Sequence, residues 1–383
     1  MGGPKILISA GEASGDYYAS ILAMRLRDLM PGARFFGCAG PKMRQAGVEA
    51  VVESESLSVV GLVEVVRHIP RVYGEFRKVA AAAQRERPVL AILTDSPDFH
   101  LRLAKKLKAN GIPVIYLIAP QVWAWRKWRL AAMRRGIDRL LCIFPFEEAF
   151  FRQAGIRATY IGHPLAAVIG PKLDRAEFFR KHRLAAERPL VTLLPGSRVG
   201  EAGRHLPALL EAVDAVGRAR AASFVWAAPA GFFGRAGGSF FRERIARSPI
   251  QVIEGETWDA IAHADLALAA SGTVAVEAAL LATPMITYYR VSGLSWLAGK
   301  FLVDVPHYTM VNLVAGRKVV PELMQDEMTG QRLAGEALRL LGDAEARERM
   351  REGLREVRAL LGGLGDPLGQ AARMIYDEFV VQR

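Results

Sequence analysis

Short apolar runs alternate with longer amphipathic stretches through most of this 383-residue chain, and this alternation limits the folds available to it. A short apolar run followed by a segment of helical periodicity is the repeating unit of a parallel sheet covered by helices on both faces. We predict strands at residues 5–10, 34–38, 89–94, 113–118 and 139–144, with helical patterns at 15–30, 99–110 and 147–155. The first part of the chain is therefore expected to be an α/β domain.

The alternation begins again in the second part, with strands predicted at residues 189–194, 223–228, 250–253, 265–270 and 284–287. Residues 162–188 open with Gly-His-Pro and continue as a charged amphipathic segment, which suits a domain boundary. We predict two doubly wound, Rossmann-like domains facing a cleft, at residues 1–165 and 166–360. The helical tail at 361–383 would pack on the N-terminal domain or on a partner subunit of a homodimer. Ligands of such sheets bind outside the carboxyl ends of the strands.

The charge of the chain is unevenly spread. Lysine and arginine number 51 against 39 aspartates and glutamates, a formal net charge of +12, and residues 1–165 account for +10 of it. A basic half favours an anionic partner: a nucleic acid, an anionic membrane surface or a phosphorylated substrate. A GC-rich source would give the same arginine-rich composition without such a partner, so composition alone leaves these interpretations open.

Several classes of protein are disfavoured by the sequence. Cys38 and Cys142 lie far apart in apolar runs, which excludes a disulfide scaffold and fits a reducing compartment. No apolar stretch reaches the roughly 18 residues of a spanning helix, and the N-terminus enters a strand pattern without a signal segment. HExxH, CxxC and Asp-x-Asp patterns are missing and the seven histidines are scattered, so we expect neither a metal nor a cofactor.

The first predicted strand ends in a turn of small residues, Ser9-Ala-Gly-Glu-Ala-Ser-Gly-Asp16. Gly11 and Gly15 permit a tight turn from strand to helix, and Ser14 is placed to cap that helix. Backbone N–H groups at a helix start bind anions and sugar oxygens. The turn therefore predicts a ligand site, although an ordinary turn of small residues would look the same.

Two carboxylates follow the strand predicted at residues 89–94, in the sequence Thr94-Asp-Ser-Pro-Asp-Phe99. Open α/β sheets hold ligands and catalytic groups at such strand ends. The charge of Asp95 or Asp98 would raise the pKa of the other, which suits a general base. Asp98 is the stronger candidate for that base, and its alternative role is to cap the next helix.

Residues 57–73 are unusually apolar for a segment that connects two strands. Their large side chains cannot all face one core if the segment forms one short helix, and basic residues accompany them. An apolar helix flanked by cations suits a protein that lies on an anionic membrane, whereas a core or dimer helix is the alternative. The residues assigned to membrane contact are Val59, Leu62, Val63, Val66 and Ile69.

A second unusual cluster is Pro120-Gln-Val-Trp-Ala-Trp-Arg-Lys-Trp-Arg129, with three tryptophans and three cations within seven residues. Aromatic and basic clusters stack nucleic-acid bases, but no recognisable nucleic-acid module surrounds this one. The other interpretations are a membrane interface, a sugar-phosphate site and packing of tryptophan against the apolar segment.

Two strand ends in the second half share the layout of strand, turn and helix. Leu194-Pro-Gly-Ser-Arg198 offers close backbone approach at its glycine and the forked guanidinium of Arg198 for a diphosphate. Ala270-Ser-Gly-Thr-Val-Ala-Val-Glu277 offers N–H groups and hydroxyls at a helix start, with a carboxylate one turn further on for ribose hydroxyls. Together they predict a nucleotide-diphosphate site, because helix capping does not explain Arg198 together with Glu277. The residues assigned to it are Ser197, Arg198, Ser271, Gly272, Thr273 and Glu277.

In this order along the chain, the motifs resemble the lipid-A-disaccharide synthase family, glycosyltransferases that join two acylated glucosamines. The matching stretches are residues 11–16, 58–66, 95–99, 120–125, 162–164, 194–198, 271–273 with 277, and 310–313. One departure is His100, where the family more often carries a small polar residue such as asparagine.

The resemblance implies a GT-B fold and an inverting transfer. The donor would be UDP-2,3-diacylglucosamine, the acceptor 2,3-diacylglucosamine 1-phosphate, and the products a β-1,6-linked disaccharide 1-phosphate and UDP. Asp98 would be the base, Arg198 with residues 271–273 would stabilise the leaving diphosphate, and Glu277 would hold the ribose. Asn312 would reach the donor from the far side of the cleft. The residues on the acceptor side would be Gly11, Glu12, Ser14 and Gly15.

Acylated substrates lie in a bilayer, so the resemblance favours the membrane interpretation of the apolar segment and a peripheral, cytoplasmic location on the inner membrane. Nucleic acid becomes the least favoured partner. The alternatives are another GT-B enzyme on UDP-amino sugars, namely the peptidoglycan-precursor GlcNAc transferase or a UDP-GlcNAc epimerase, or a non-catalytic membrane-bound protein that binds nucleotide sugars. The transferase would show a glycine pair in its first loop, and the epimerase leaves the apolar segment unexplained.

Overall fold

The computed structural model describes residues 3–57, 62–235, 237–291, 305–363 and 365–381, without the side chains of residues 62–69. The chain divides into two compact units. The first unit contains residues 1–167 together with 362–383, and the second contains residues 168–361.

A seven-stranded sheet forms the centre of the first unit. Its strands are β1 (Lys5–Ala10), β2 (Arg34–Ala39), β3 (Glu49–Glu53), β4 (Leu90–Thr94), β5 (Val114–Leu117), β6 (Arg139–Cys142) and β7 (Ala158–Tyr160). They are parallel and lie in the order β3-β2-β1-β4-β5-β6-β7. Strands β4 and β5 are buried along their whole length and, apart from Thr94, hydrophobic, as expected of a parallel sheet covered on both faces.

The connections of this sheet are helical. The helices are α1 (Ala13–Leu29), α2 (Pro41–Gln45), α3 (Leu62–Glu86), α4 (Pro97–Ala109), α5 (Leu130–Gly136) and α6 (Pro145–Gln153). Helix α3 contains the second part of the apolar segment and continues past Pro70. Within the described residues, no helix is both long enough and apolar enough to cross a membrane.

The second unit repeats the plan with a six-stranded sheet. Its strands are β8 (Leu190–Leu194), β9 (Ser223–Ala228), β10 (Ile250–Glu254), β11 (Leu266–Ala270), β12 (Met285–Tyr289) and β13 (Glu322–Met324), parallel and in the order β10-β9-β8-β11-β12-β13. Its helices are α7 (Arg175–Lys181), α8 (Val199–Ala219), α9 (Gly238–Ile245), α10 (Thr257–Ala262), α11 (Thr273–Leu280), α12 (Met310–Ala315), α13 (Gly330–Gly342) and α14 (Ala344–Gly362).

The last described segment returns to the first unit. Helix α15 (Pro367–Tyr376) packs against α1. An ion pair between Arg25 and Asp366 joins the two helices at 2.9 Å, and Glu378 pairs with Arg139 of β6 and with Arg157. Residues 362–381 are therefore an integral part of the first unit.

Both sheets contain a topological switch point. The chain moves outward from β1 to β3 and then crosses to β4 on the other side of β1, and it repeats this movement from β8 to β10 and then to β11. Connections that leave neighbouring strands in opposite directions open a crevice at the carboxyl ends of those strands. The expected ligand sites therefore lie after β1 and β4, and after β8 and β11.

The doubly wound α/β architecture predicted from the alternation is confirmed. The sequence pattern missed three strands, β3, β7 and β13, each of which lies at the edge of its sheet. Edge strands are short or partly exposed: β7 and β13 have three residues each, and β3 is exposed at both ends. They lack the continuous apolar run that marks a central strand.

Candidate functional site

The two strand ends at the first switch point are joined by the carboxylate of Asp95. Asp95 follows β4 and accepts hydrogen bonds from the backbone N–H groups of Gly11 (2.8 Å) and Glu12 (3.0 Å), which follow β1. The turn and the carboxylates that the sequence singled out separately thus belong to one site.

The helix starts at this site differ from the sequence expectation. Helix α1 begins at Ala13 with Glu12 as its N-cap residue, so the expected capping role of Ser14 is wrong; Ser14 is exposed in the first turn. Helix α4 has Ser96 as its N-cap residue, so the capping alternative for Asp98 is also wrong. Asp98 is the second residue of its helix and its side chain faces solvent.

The two glycines of the turn permit a close approach between the strand ends. A Cβ on Gly15 would overlap the carboxylate of Asp95, and a Cβ on Gly11 would overlap the hydroxyl of Ser96. Asp95 and Ser96 both adopt left-handed backbone angles, with φ of 54° and 36°. The sharp turn after β4 brings Asp95 under the backbone of the β1 turn, and only glycine leaves room for it there.

Burial raises the pKa of Asp95 to about 7, while the N–H groups of Gly11 and Glu12 oppose the rise and the charge of Glu12 adds to it. The sequence pattern had suggested repulsion between Asp95 and Asp98 as the cause. Burial is the main cause, so Asp95 titrates near neutral pH.

A buried histidine supports this turn from below. His100 lies between the hydroxyl of Ser9 (2.8 Å from Nε2) and the backbone carbonyl of Asp95 (3.0 Å from Nδ1). The hydroxyl of Tyr116 donates to the same carbonyl. Burial lowers the pKa of His100 to about 4, so the ring is neutral, with its proton on Nδ1 facing the carbonyl. The sequence had marked His100 only as a departure from the family pattern.

Asp98 faces two guanidinium groups from the Trp–Arg loop at residues 120–129. Arg126 Nη1 lies 3.2 Å from Oδ2 of Asp98, and Arg129 pairs with Oδ1. The guanidinium of Arg126 also stacks 4.1 Å from the ring centre of Trp125. The sequence singled out both the loop and Asp98, but it gave no signal that they meet.

The Trp–Arg loop has a buried anchor and an exposed rim. Trp123 is buried against Phe146 of α6 and donates from Nε1 to Oε1 of Glu147 at 3.0 Å. Burial raises the pKa of Glu147 to about 8. Trp125 and Trp128 are 40% and 65% exposed. Packing thus accounts for one of the three tryptophans, and two face solvent near Arg126.

The first strand end of the second unit is the turn after β8. Gly196 has φ of 117°, and a Cβ there would overlap the carboxylate of Glu201 in α8. Arg198 is the N-cap residue of α8, and both it and Ser197 are exposed. Arg235 donates to the carbonyl of Ser197 at 3.1 Å and so brings a second guanidinium to this turn.

A buried histidine also supports this turn. His205 is 2.8 Å from the carbonyl of Pro195 through Nδ1, and its Nε2 accepts from the backbone N–H of Arg290 at 3.1 Å. Burial lowers the pKa of His205. The neutral ring therefore ties the end of β8 to the end of β12.

The second strand end follows β11, where α11 begins at Thr273. A Cβ on Gly272 would meet no atom within 4 Å, so the space above this helix start is open. Ser271 donates to the carbonyl of Tyr308 at 3.2 Å. One turn into the helix, Oε2 of Glu277 accepts from Trp258 Nε1 at 3.2 Å, and burial raises the pKa of Glu277 to about 7. No sequence signal pointed to Trp258.

Asn312 is placed differently from the expectation. Its side chain is buried; Nδ2 donates to the carbonyl of Val320 and to Glu322 at 3.0 Å each, and Oδ1 accepts from the N–H groups of Val319 (2.7 Å) and Val320 (3.0 Å). These bonds use both donors and both acceptor positions of the amide. Asn312 therefore joins α12 to the start of β13 and presents no spare hydrogen-bonding group to a donor in this structure.

The described residues offer no obvious metal centre. Among residues 3–57, 62–235, 237–291, 305–363 and 365–381, no three His, Cys, Asp or Glu side chains are grouped so as to hold a metal ion.

Solved structures with this architecture identify the fold. A UDP-GlcNAc 2-epimerase from Neisseria meningitidis bound to UDP-GlcNAc superposes with a TM-score of 0.64 at 10% identity, covering 97% of this chain and 98% of that chain. A glycosyltransferase from Rickettsia africae superposes with a TM-score of 0.60 at 12% identity, covering 99% of both chains. The fold is that of the GT-B glycosyltransferases, with a doubly wound sheet in each unit.

Sequence relatives define the family within that class. A family model for lipid-A-disaccharide synthetase matches residues 6–363. A lipid-A-disaccharide synthase from Solibacter usitatus is 64% identical over 374 residues, which cover 98% of this chain and 97% of the relative. The chain belongs to the lipid-A-disaccharide synthase family, and the resemblance found in its motifs is confirmed.

Proposed function

We propose that the chain condenses UDP-2,3-diacylglucosamine with 2,3-diacylglucosamine 1-phosphate to give the β-1,6-linked disaccharide 1-phosphate and UDP. The observation that carries this proposal is 64% identity over 98% of the chain to a lipid-A-disaccharide synthase. The placement of the predicted motifs at both switch points supports it, because GT-B enzymes need one strand-end site for each substrate.

The UDP part of the donor would bind in the second unit. Arg198 and the N–H groups at the start of α11 would neutralise the diphosphate, and the open space at Gly272 leaves room for it. Ser197 and Ser271 would add polar contacts, and Glu277 would accept hydrogen bonds from the ribose hydroxyls. Asn312 would act indirectly: it donates to Glu322, Glu322 accepts from the backbone N–H of Tyr308, and the carbonyl of Tyr308 accepts from Ser271.

The acceptor would bind in the first unit, at the turn formed by Gly11, Glu12, Ser14 and Gly15. Exposed Glu12 and Ser14 would contact the sugar, and Asp95 would hold the turn in place through its two hydrogen bonds. Asp98, three residues after Asp95, is 74% exposed and would reach the acceptor hydroxyl.

One displacement would account for inversion. Asp98 would take the proton of the acceptor hydroxyl as that oxygen forms a bond to the anomeric carbon of the donor. The bond between the anomeric carbon and the diphosphate breaks at the same time, and its electron pair leaves with UDP. Arg198 would stabilise the charge that develops on the diphosphate.

Both acylated substrates would be met at a membrane surface. Support comes from the apolar run at residues 57–73, of which Val59 and the side chains of Leu62, Val63, Val66 and Ile69 lie outside the described part of the structure. The exposed Trp125 and Trp128 beside Arg126 add amphipathic side chains of the kind found at membrane interfaces. We propose a peripheral location on the cytoplasmic face of the inner membrane.

The purified chain incubated with both acylated substrates is expected to release UDP and form the disaccharide. Asp98→Asn is expected to lower kcat by at least ~100-fold. The affinity for UDP is expected to stay unchanged, because the proposed UDP site lies in the second unit and Asp98 lies in the first. Asp28→Asn, an exposed carboxylate at the far end of α1, is the matched control and should be fully active. Normal turnover in Asp98→Asn would remove Asp98 as the base, and no disaccharide from the unmodified chain would refute the proposed activity.

A further inference from the structure

The carboxylate proposed as the base is held between two cations. Each oxygen of Asp98 faces one guanidinium, from Arg126 at 3.2 Å and from Arg129. Asp98 is 74% exposed, whereas the side chain of Arg129 is 10% exposed, so the carboxylate is the solvent-facing partner of a largely buried cation. The proposed mechanism uses Asp98 but gives neither arginine a role.

The two arginines are fixed in place before any ligand arrives. Arg126 stacks 4.1 Å from the ring centre of Trp125, and its backbone adopts φ of 58°. Arg129 is buried at the start of α5. Guanidinium groups bind phosphate through paired N–H donors, and a pair held in place loses little entropy on binding.

We propose that Arg126 and Arg129 form the binding site for the phosphomonoester of the acceptor, and that this phosphate replaces Asp98 as their partner. This inference rests on the proposed function. A phosphomonoester carries more negative charge and more acceptor oxygens than one carboxylate, so it competes well for two guanidiniums. The exchange breaks two ion pairs to Asp98 and forms two to the phosphate.

The chemistry of the acceptor fits this arrangement. Carbons 1 and 5 of the glucosamine ring both adjoin the ring oxygen, so the 1-phosphate and the hydroxymethyl group that bears the carbon-6 hydroxyl both project from the ring-oxygen edge of the sugar. A phosphate seated on Arg126 and Arg129 therefore brings that hydroxyl near Asp98. Without the acceptor, the two arginines pair with the carboxylate of Asp98, so that carboxylate is not available to take a proton from water.

Calorimetry with soluble glucosamine 1-phosphate tests the site without any need for turnover. Arg126→Gln is expected to weaken binding by about ten-fold, which is typical for a lost charge-assisted hydrogen bond. Asp98→Asn is expected to tighten binding, because it removes the competing carboxylate. Unphosphorylated glucosamine should bind equally to the unmodified chain and to Arg126→Gln. Arg135→Ala, which removes an exposed arginine bonded to its own helix, is the matched control.

The change in glucosamine 1-phosphate affinity in Asp98→Asn distinguishes two roles for the arginines. Tighter binding indicates a phosphate site, whereas weaker binding indicates that the ion pairs with Asp98 only stabilise the local structure. Weaker binding in both Arg126→Gln and Asp98→Asn, or equal losses for glucosamine and its 1-phosphate, would overturn the proposal. A second arm uses phosphatidylglycerol vesicles: if Arg126→Gln impairs only vesicle binding, the arginines serve a lipid headgroup phosphate and the acceptor assignment fails. If the unmodified chain binds glucosamine 1-phosphate as expected but makes no disaccharide, the site stands and the proposed function fails.

Discussion

Gly15 shows how one missing side chain shapes the turn proposed to bind the acceptor. It lies in the first turn of α1, where alanine would normally favour the helix, yet a Cβ there would overlap the carboxylate of Asp95. The close contact is what lets Asp95 reach the N–H groups of Gly11 and Glu12. The turn and the strand end thus depend on each other through the absence of one methyl group.

Gly15→Ala is therefore expected to destabilise the protein by about 1–3 kcal/mol, the range for overpacking a tight site, and to raise KM for the acceptor. Gly335→Ala is the matched control, because a Cβ on Gly335 in α13 would meet no atom within 4 Å. The control should gain about 0.5–1 kcal/mol from helix propensity. Chemical denaturation and acceptor kinetics on both variants measure this, and equal stability changes would contradict it.

Glu277 is expected to make donor binding depend on pH. Burial raises its pKa to about 7, so the carboxylate is ionised above that pH and protonated below it. Only the ionised form accepts from two ribose hydroxyls with full charge, so UDP affinity is expected to fall several-fold as the pH drops from ~8 to ~6.

Glu277→Gln should lose that part of the pH dependence, because the amide does not titrate. Titration of the UDP phosphate affects both proteins equally, so the difference between their slopes isolates Glu277. Calorimetric titration with UDP across this pH range supplies both slopes. Parallel curves for the two proteins would show that Glu277 does not contact the ribose.

Helix α3 has two parts with different expected roles. Its N-terminal part carries the apolar residues proposed to enter the membrane surface, and its C-terminal part packs on the first unit, with Phe76 set edge-on against Phe99 of α4 at 5.8 Å. Phe99 is the neighbour of Asp98, so the helix connects the proposed membrane contact to the proposed base.

Paired Leu62→Glu and Val66→Glu substitutions are expected to reduce binding to anionic vesicles by about ten-fold or more. Two apolar side chains would no longer enter the membrane surface, and two added negative charges would be repelled by the anionic lipids. The matched control is Val168→Glu with Leu360→Glu, which makes the same exchange at exposed positions of the second unit. Co-sedimentation at low and high salt provides the measurement. Equal binding by the two double variants would exclude α3 as a membrane contact.

At the scale of the whole molecule, local sequence patterns predicted the α/β architecture, but they could not predict contacts between side chains that are distant in sequence. The central strands and the positions of Gly11, Asp95, Arg198 and Ser271 at strand ends follow from apolar periodicity and turn residues. The ion pairs of Asp98 with Arg126 and Arg129 join residues about thirty positions apart, and no local pattern encodes such a pairing. The hydrogen-bond partners of Asn312, at positions 319, 320 and 322, likewise became visible only in the fold.

The two units also differ in net charge. Residues 1–167 with 362–383 carry a net charge of +9, and residues 168–361 carry +3. The unit proposed to meet the phosphorylated acceptor and the membrane is thus the basic one, whereas the proposed UDP site lies in the less charged unit and would depend on a few directed groups such as Arg198.

The return of residues 362–381 to the first unit has a consequence for biosynthesis. During translation the second unit, which is continuous in sequence, emerges completely before the first unit has received α15 and the residues that pair Glu378 with Arg139 and Arg157. Domains generally fold as units during synthesis. Of the two units, the first therefore begins to leave the ribosome earlier and is completed later, and the surface of α1 that α15 covers stays open until α15 has emerged.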